Sequence, residues 1–180
     1  RSEQGCRFHF RTLKKSNSAK FPETEKICKL RKNNKILLGQ KKRGFAKGTF
    51  NGIGGKQDPG ETIDQAMIRE CQEEIGATPT QFELRGKIVF DVWYKGEHVN
   101  MPLYIYNCTE FTGNIHETEE MIPQWFNINE IPYDKMLQDD LLWYEYFLAD
   151  KKFVGKVKFD PNMKMLDHHF ETVESFEQSL

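Results

Sequence analysis

Glu70, Glu73 and Glu74 crowd into one short stretch and would share one face of a helix, where residues three and four apart are neighbours. Such a set of like charges repels itself unless a cation sits on it. Hard divalent ions take oxygen ligands and commonly share them with substrate phosphates. The spacing therefore points to Mg2+-assisted phosphate chemistry, with Mn2+ able to substitute. Taken alone, Glu-x-x-Glu-Glu is ordinarily a solvated face, because Glu is a good helix former. Here it has company: Gly55, Glu61, Arg69, Glu70, Cys71, Glu73, Glu74, Gly76 and Ala77 follow the fixed spacing G-x5-E-x7-R-E-U-x-E-E-x-G-U, with U apolar. The glycine-laden run 44–55 just upstream lets backbone groups approach an ion and its phosphates closely.

The elements that must position these carboxylates are legible. Thr62 with Gln65 makes a capping box, and Gly76 is a C-terminal cap. Ile63, Ala66, Met67 and Cys71 supply the buried stripe, leaving the glutamates on another face. Upstream, 27–30 and 35–38 read as short strands split by Asn33-Asn34. Downstream, 82–92 and 99–108 carry strand patterns, another strand surrounds Gln124-Trp125-Phe126, and a second helix is predicted over about 139–149. Segments 153–159 and 165–170 close the sheet. This order predicts an α/β (α+β) domain, an α/β/α sandwich with a mixed sheet, over residues 23–180.

Composition bounds the rest. The size suits one domain, and no apolar run approaches the roughly 18 residues needed to span a bilayer. Cys6, Cys28, Cys71 and Cys108 are scattered, which indicates neither a zinc site nor a disulfide framework and suits a reducing compartment. The net charge of -1 is unevenly divided: residues 1–47 hold 15 of the 26 Lys and Arg and 3 of the 27 acids. Residues 1–22 are read as a basic extension, disordered or targeting.

The spacing 55–77 is that of the Nudix box, and the chain resembles the Nudix hydrolases. The resemblance implies metal binding by Glu70, Glu73 and Glu74 with a backbone carbonyl at Gly54 or Gly55. It also implies that Glu61 pairs with Arg69 and orients Glu70; without it the pair would pass as an ordinary surface ion pair. Nudix enzymes often draw a further acid from a downstream loop. Glu117, Glu119 and Glu120 cluster before Pro123-x-Trp125-Phe126, and Glu120 is the choice for metal ligand or water activation, with Glu70 the other candidate base and a solvated acidic loop the plain alternative.

The likeness extends from about residue 35 to 160, where Lys41-Lys-Arg-Gly-Phe45, Asn51-Gly-Ile-Gly-Gly-Lys56, Gly86-Lys-Ile-Val-Phe90 and Asp139-Asp140…Trp143 are similar to the branch that hydrolyses oxidised purine nucleoside triphosphates to monophosphate and pyrophosphate. That resemblance implies that Asn51, Asp139 and Asp140 read the purine edge and that Phe45, Phe90, Met101 and Trp143 wall the base pocket. Lys41 would lie at its rim, and Lys56 joins the substrate-binding set. Neighbouring carboxyls can share a proton, so the Asp pair could donate and accept together. Plainer readings stand beside these: Asp139-Asp140 as a helix start, Asn51 as a turn residue, Phe90, Met101 and Trp143 as ordinary core, His168-His169 as surface strand. Leu137 stands where the resemblance leads one to expect an aromatic, and Lys26 stands where it implies a small hydroxyl residue. The expected partner is a small-molecule nucleotide, with no membrane, no nucleic acid and a monomeric chain, in the cytoplasm with mitochondrial or nuclear pools also compatible. A Nudix hydrolase of capped RNA or a dinucleoside polyphosphate is the alternative enzyme, and a non-catalytic nucleotide-binding module the alternative class.

Overall fold

The computed structural model describes residues 24–178 apart from 45 and 95, so the basic extension and Phe45 lie outside the described residues. The described strands are β1 (Glu25–Lys32), β2 (Lys35–Lys41), β3 (Phe50–Asn51), β4 (Ile53–Lys56), β5 (Ala77–Tyr94), β6 (Glu97–Gly113), β7 (Met121–Asn127), β8 (Phe153–Phe159) and β9 (Met165–Thr172). Helix α1 (Ile63–Ile75) follows β4, and the short α2 (Tyr144–Leu148) precedes β8. The sheet runs β3-β2-β1-β6-β5-β8-β9, with β4 paired to β1 and β7 to β2. β1 pairs β6 and β5 pairs β8 in parallel, and the remaining ladders are antiparallel. The expected mixed sheet is present. Asn33 and Asn34, with φ of 51° and 60°, supply the left-handed pair that a tight two-residue hairpin turn requires.

Side chains alternate across β1. Ile27 joins Ile36, Leu38, Phe90, Trp143 and Phe147 on one side of the sheet, while Cys28 and Leu30 meet Met67, Cys71 and Ile75 of α1 on the other. The sandwich is therefore lopsided, with a 13-residue helix on one face and irregular turns plus a 5-residue helix on the other. The helix expected over 139–149 is broken: Asp140–Leu142 is a 3-10 turn, and Trp143 (φ -120°, ψ -7°) leaves helical geometry before α2 begins. Packing explains the break. Trp143 is fully buried and stacks on Phe153, with ring centroids 6.2 Å apart, and the chain turns to place it there. Asp139 and Asp140 do start a helical turn, as the N-cap and first residue of this 3-10 segment, although Asp139 makes no side-chain cap.

Candidate active site

Helix α1 starts as expected. Thr62 Oγ1 accepts from Gln65 N–H at 3.2 Å, and Thr62 N–H donates back to Gln65 Oε1 at 2.8 Å. Gly76 (φ 72°) ends it, its N–H reaching the carbonyls of Cys71 and Gln72. One expectation is corrected here. Glu74 does not share an outward face with the other glutamates: it is buried at 7% exposure, and its Oε2 accepts from Gly54 N–H at 2.9 Å. The helical period explains this, because Glu74 lies three residues after Cys71 and seven after Met67, on the stripe that faces the sheet.

Arg69 gathers the remaining acids. Its Nε and Nη2 grip both oxygens of Glu61 at 2.7 and 3.0 Å, Nη1 reaches Glu70 at 3.3 Å and Glu73 at 3.1 Å, and Nη2 also donates to Lys56 O at 3.2 Å. Asp58 lies 3.5 Å from the same guanidinium. The Arg69 hydrogen bonds hold the Glu61 carboxyl down at about 2, against an ordinary 4.5, with the Asp58 backbone N–H adding to the effect. Sequence reasoning expected the Glu61–Arg69 pair but not Asp58.

Lys26, on β1 with no exposure, donates to Lys56 O and lies 3.4 Å from Glu70 Oε1. Burial lowers its ammonium pKa, and the Glu70 charge opposes that shift. Among the described residues no three acid, imidazole or thiol groups close into a ready ligand set. The reason is visible: Glu70 and Glu73 lean onto Arg69 and Lys26, and Glu74 onto the Gly54 amide.

The residues nevertheless fit a hard divalent ion. A Cβ on Gly55 would lie 2.6 Å from Glu70 Oε1 and 2.9 Å from Glu70 Cδ, so glycine keeps a cradle open beside that carboxylate. Glu70, Glu73, Glu74 and the Gly54 or Gly55 carbonyl would offer oxygen donors alone, the kind Mg2+ or Mn2+ takes, once the glutamates leave their present partners. Glu120 is set apart from it. The loop before β7 is pinned to the helix through Thr118 Oγ1 and Glu74 O at 2.8 Å, yet the Glu120 carboxylate is exposed and pairs with Arg43.

The expected base-pocket residues lie on the other side of β1. Phe90, Met101 and Trp143 are all buried in one apolar cluster with Phe50 and Met136. Phe50 bridges Met136, which brings the segment carrying Leu137, Asp139 and Asp140 beside Asn51. Asp140 and Asn51 are 3% and 4% exposed. Asn51 Oδ1 accepts from Gly52 N–H at 2.6 Å, so its amide NH2 is the group it can present to a ligand. Lys41 ends β2, where its N–H donates to Thr49 O at 3.1 Å. The side chain of Lys56 plays no part in the contacts described above, which use its carbonyl. His168 and His169 are exposed on β9.

Lys29 was missed by sequence reasoning. It has no exposure, its Nζ donates to the Tyr144 hydroxyl at 2.6 Å, and it lies over the Trp143 and Tyr144 rings at 5.4 and 4.8 Å. Two lysines on opposite faces of β1, interleaved with Ile27, Cys28 and Leu30, were the available signal.

The NUDIX domain model matches residues 26–149. The chain is 41% identical over 140 residues to the oxidized purine nucleoside triphosphate hydrolase of Danio rerio, covering 78% of this chain and 88% of that protein. It is 38% identical to the Mus musculus protein of the same name, covering 79% and 90%. A MutT protein from Bacillus halodurans has a similar structure, with a TM-score of 0.72 and 25% identity over 83% of this chain and 98% of that one. With the glutamate helix, its glycine cradle and its arginine clamp in place, this chain belongs to the Nudix hydrolase family.

Proposed function

We propose that this protein hydrolyses oxidised purine nucleoside triphosphates of the 8-oxo-dGTP and 2-oxo-dATP type to the monophosphate and pyrophosphate, using Mg2+, and so cleanses the nucleotide pool. The observation that carries this reading is the placement of two sets of groups along β1. Lys26, on one face of β1, meets the glutamate helix, and Lys29, three residues on and on the other face, meets Trp143 and Tyr144, so one strand carries a buried lysine to each of the two sets. The activity for which the two vertebrate relatives are named supports the same substrate class.

Opening a phosphoanhydride demands charge neutralisation, an oriented water and a fixed phosphate chain. A bound divalent cation supplies Lewis acidity and an acidified water. The chain supplies the rest. Arg69 and Lys26 hold Glu70 in one orientation, the Gly54 amide holds Glu74, and the buried aromatic and Asp groups grip the base while excluding water. Glu70 is the better placed proton acceptor of the two candidates, since its carboxylate lies against the Gly55 cradle, whereas that of Glu120 is exposed on the loop before β7. The substrate is a free nucleotide, and the enzyme acts as a monomer in the cytoplasm or in mitochondrial or nuclear pools.

A Mg2+-dependent panel of 8-oxo-dGTP, 2-oxo-dATP, dGTP, dinucleoside polyphosphates and capped RNA, with the released product identified, tests the proposal. The expected result is preferential turnover of oxidised purines with pyrophosphate release, lost in Glu73→Gln. Equal rates on dGTP and 8-oxo-dGTP would refute the substrate reading, and full turnover by Glu73→Gln would refute the catalytic one.

A further inference from the structure

A lysine with no exposed surface is uncommon, because taking an ammonium out of water is costly unless it is paired. Lys29 meets that condition inside the expected base pocket. Its stem runs beneath the Asn51-Gly52 turn: a Cβ on Gly52 would lie 2.9 Å from Lys29 Cε and 3.0 Å from Cδ, so glycine at that position makes room for the side chain. Its head reaches the Tyr144 hydroxyl at 2.6 Å and the face of the Trp143 ring.

The surroundings divide by hydrogen-bonding character. An ammonium has donors only, and so has an indole N–H. Trp143 Nε1 is buried with no hydrogen-bond partner among the described residues, an unsatisfied donor in a fully buried side chain. The acceptor in this group is Asp140, buried at 3% exposure and close enough to Tyr144 for its charge to act on that phenol, whose pKa is pushed up mainly by burial and then by Asp140. Tyr133 also faces this spot, edge-on to Tyr144 at 5.7 Å.

A fixed buried cation favours the ionised form of a neighbouring carboxylate. It also favours a ligand edge rich in carbonyl oxygens over one that offers an amino group, because two donors facing each other leave both unsatisfied. We propose that Lys29 is a positioning residue for base selection: acting through Tyr144 and Asp140, it biases the pocket toward oxidised guanine, with a carbonyl at C6, and against oxidised adenine, with an amino group at C6. This rests on the substrate class proposed above and deepens it. The Asp pair alone could serve either base by moving a proton; a lysine fixed on the Tyr144 hydroxyl, the group on which the Asp140 charge acts, removes that freedom.

The test compares kcat/KM for 8-oxo-dGTP and 2-oxo-dATP in the native protein, Lys29→Met, Lys29→Arg and Tyr144→Phe, each checked for folding by thermal melting. Native protein should favour 8-oxo-dGTP by at least about ten-fold, the factor corresponding to one well-placed polar contact. Lys29→Met should bring the ratio to within about three-fold, mainly through a lower KM for 2-oxo-dATP with kcat nearly unchanged, and Lys29→Arg should restore much of the preference. If Lys29→Met does not fold, Tyr144→Phe decides, since it keeps the ring and removes only the hydroxyl that Lys29 grips; its ratio should fall as well. An unmoved ratio in the folded variant, or equal native rates on the two oxidised purines, overturns the role of Lys29 alone. Turnover of neither oxidised purine by the native protein overturns the substrate reading, and this inference with it.

Discussion

Gly54 and Gly55 are adjacent, yet a methyl group added to each meets different neighbours, and the contrast separates folding from catalysis. At Gly54 a Cβ would lie 2.1 Å from Lys26 O and 3.0 Å from Ile27 Cα, both backbone atoms of the β1–β4 ladder. Gly54 N–H also satisfies the buried Glu74 carboxylate. Overpacking a tight site costs about 1–3 kcal/mol, and losing a hydrogen bond to a charged group about 1.5–3 kcal/mol. Gly54→Ala should therefore lower Tm by on the order of 10 °C, at roughly 2–4 °C per kcal/mol for a chain of this size. At Gly55 the same methyl meets only the Glu70 carboxylate, 2.6 Å away, the free end of a side chain that can swing aside. Gly55→Ala should cost about 1 kcal/mol or less, but it drives Glu70 away from Lys26 and Arg69 and fills the cradle. Turnover should drop about 10- to 100-fold, the scale seen when the support of a ligand carboxylate is disturbed. Near-UV circular dichroism melts and Mg2+-dependent pyrophosphate release measure the two effects. Native turnover in Gly55→Ala, or a native melting curve for Gly54→Ala, would refute the geometry on which this reasoning depends.

Other perturbations probe separate parts of the site. Glu61 has its folded pKa held at about 2 against an ordinary 4.5, so its pairing stabilises the fold above about 4.5 and is lost as pH falls toward about 2. The Tm of native protein should fall more steeply across that window than the Tm of Glu61→Gln, and added salt should narrow the gap because the pair is accessible to solvent. Thr62→Ala removes the capping hydroxyl at a cost of about 1 kcal/mol, which should lower Tm by roughly 2–4 °C with kcat unchanged; a large loss of turnover would mean that the cap does more than hold the helix start. Asp139→Asn should depress kcat/KM for oxidised purines while leaving the melt within a few degrees; an unchanged rate would remove Asp139 from the base pocket.

What the sequence made legible was what rests on local rules. The capping box, the Gly76 stop, the Asn33-Asn34 turn and the strand periods are all decided within a few residues, and the structure has them. The Glu61–Arg69 pair followed from family spacing and is present. Features decided by distant partners were not legible. The helical period puts Glu74 on the inward stripe, but what satisfies a carboxylate there is the Gly54 amide of another element. The expected helix over 139–149 breaks because Trp143 must reach Phe153 on β8. Lys26 and Lys29 read as surface charges interleaved with Ile27, Cys28 and Leu30 until Glu70 and Tyr144 are seen beside them.

The Arg69 clamp has a consequence for timing. A guanidinium has five N–H donors in a rigid fork, and here they are shared among Glu61, Glu70, Glu73 and the Lys56 carbonyl. The loop from 57 to 61 and the acidic turn of α1 are thereby tied to a single planar group. Their conformational freedom, on the order of 1–2 kcal/mol for each ordered residue, is surrendered once, when the chain folds, and not again at each catalytic cycle. Glu70 and Glu73 thus wait close together on a cation of the protein's own, and a metal ion arriving with a nucleotide has to draw them off Arg69 but need not order the loop and the helix that carry them.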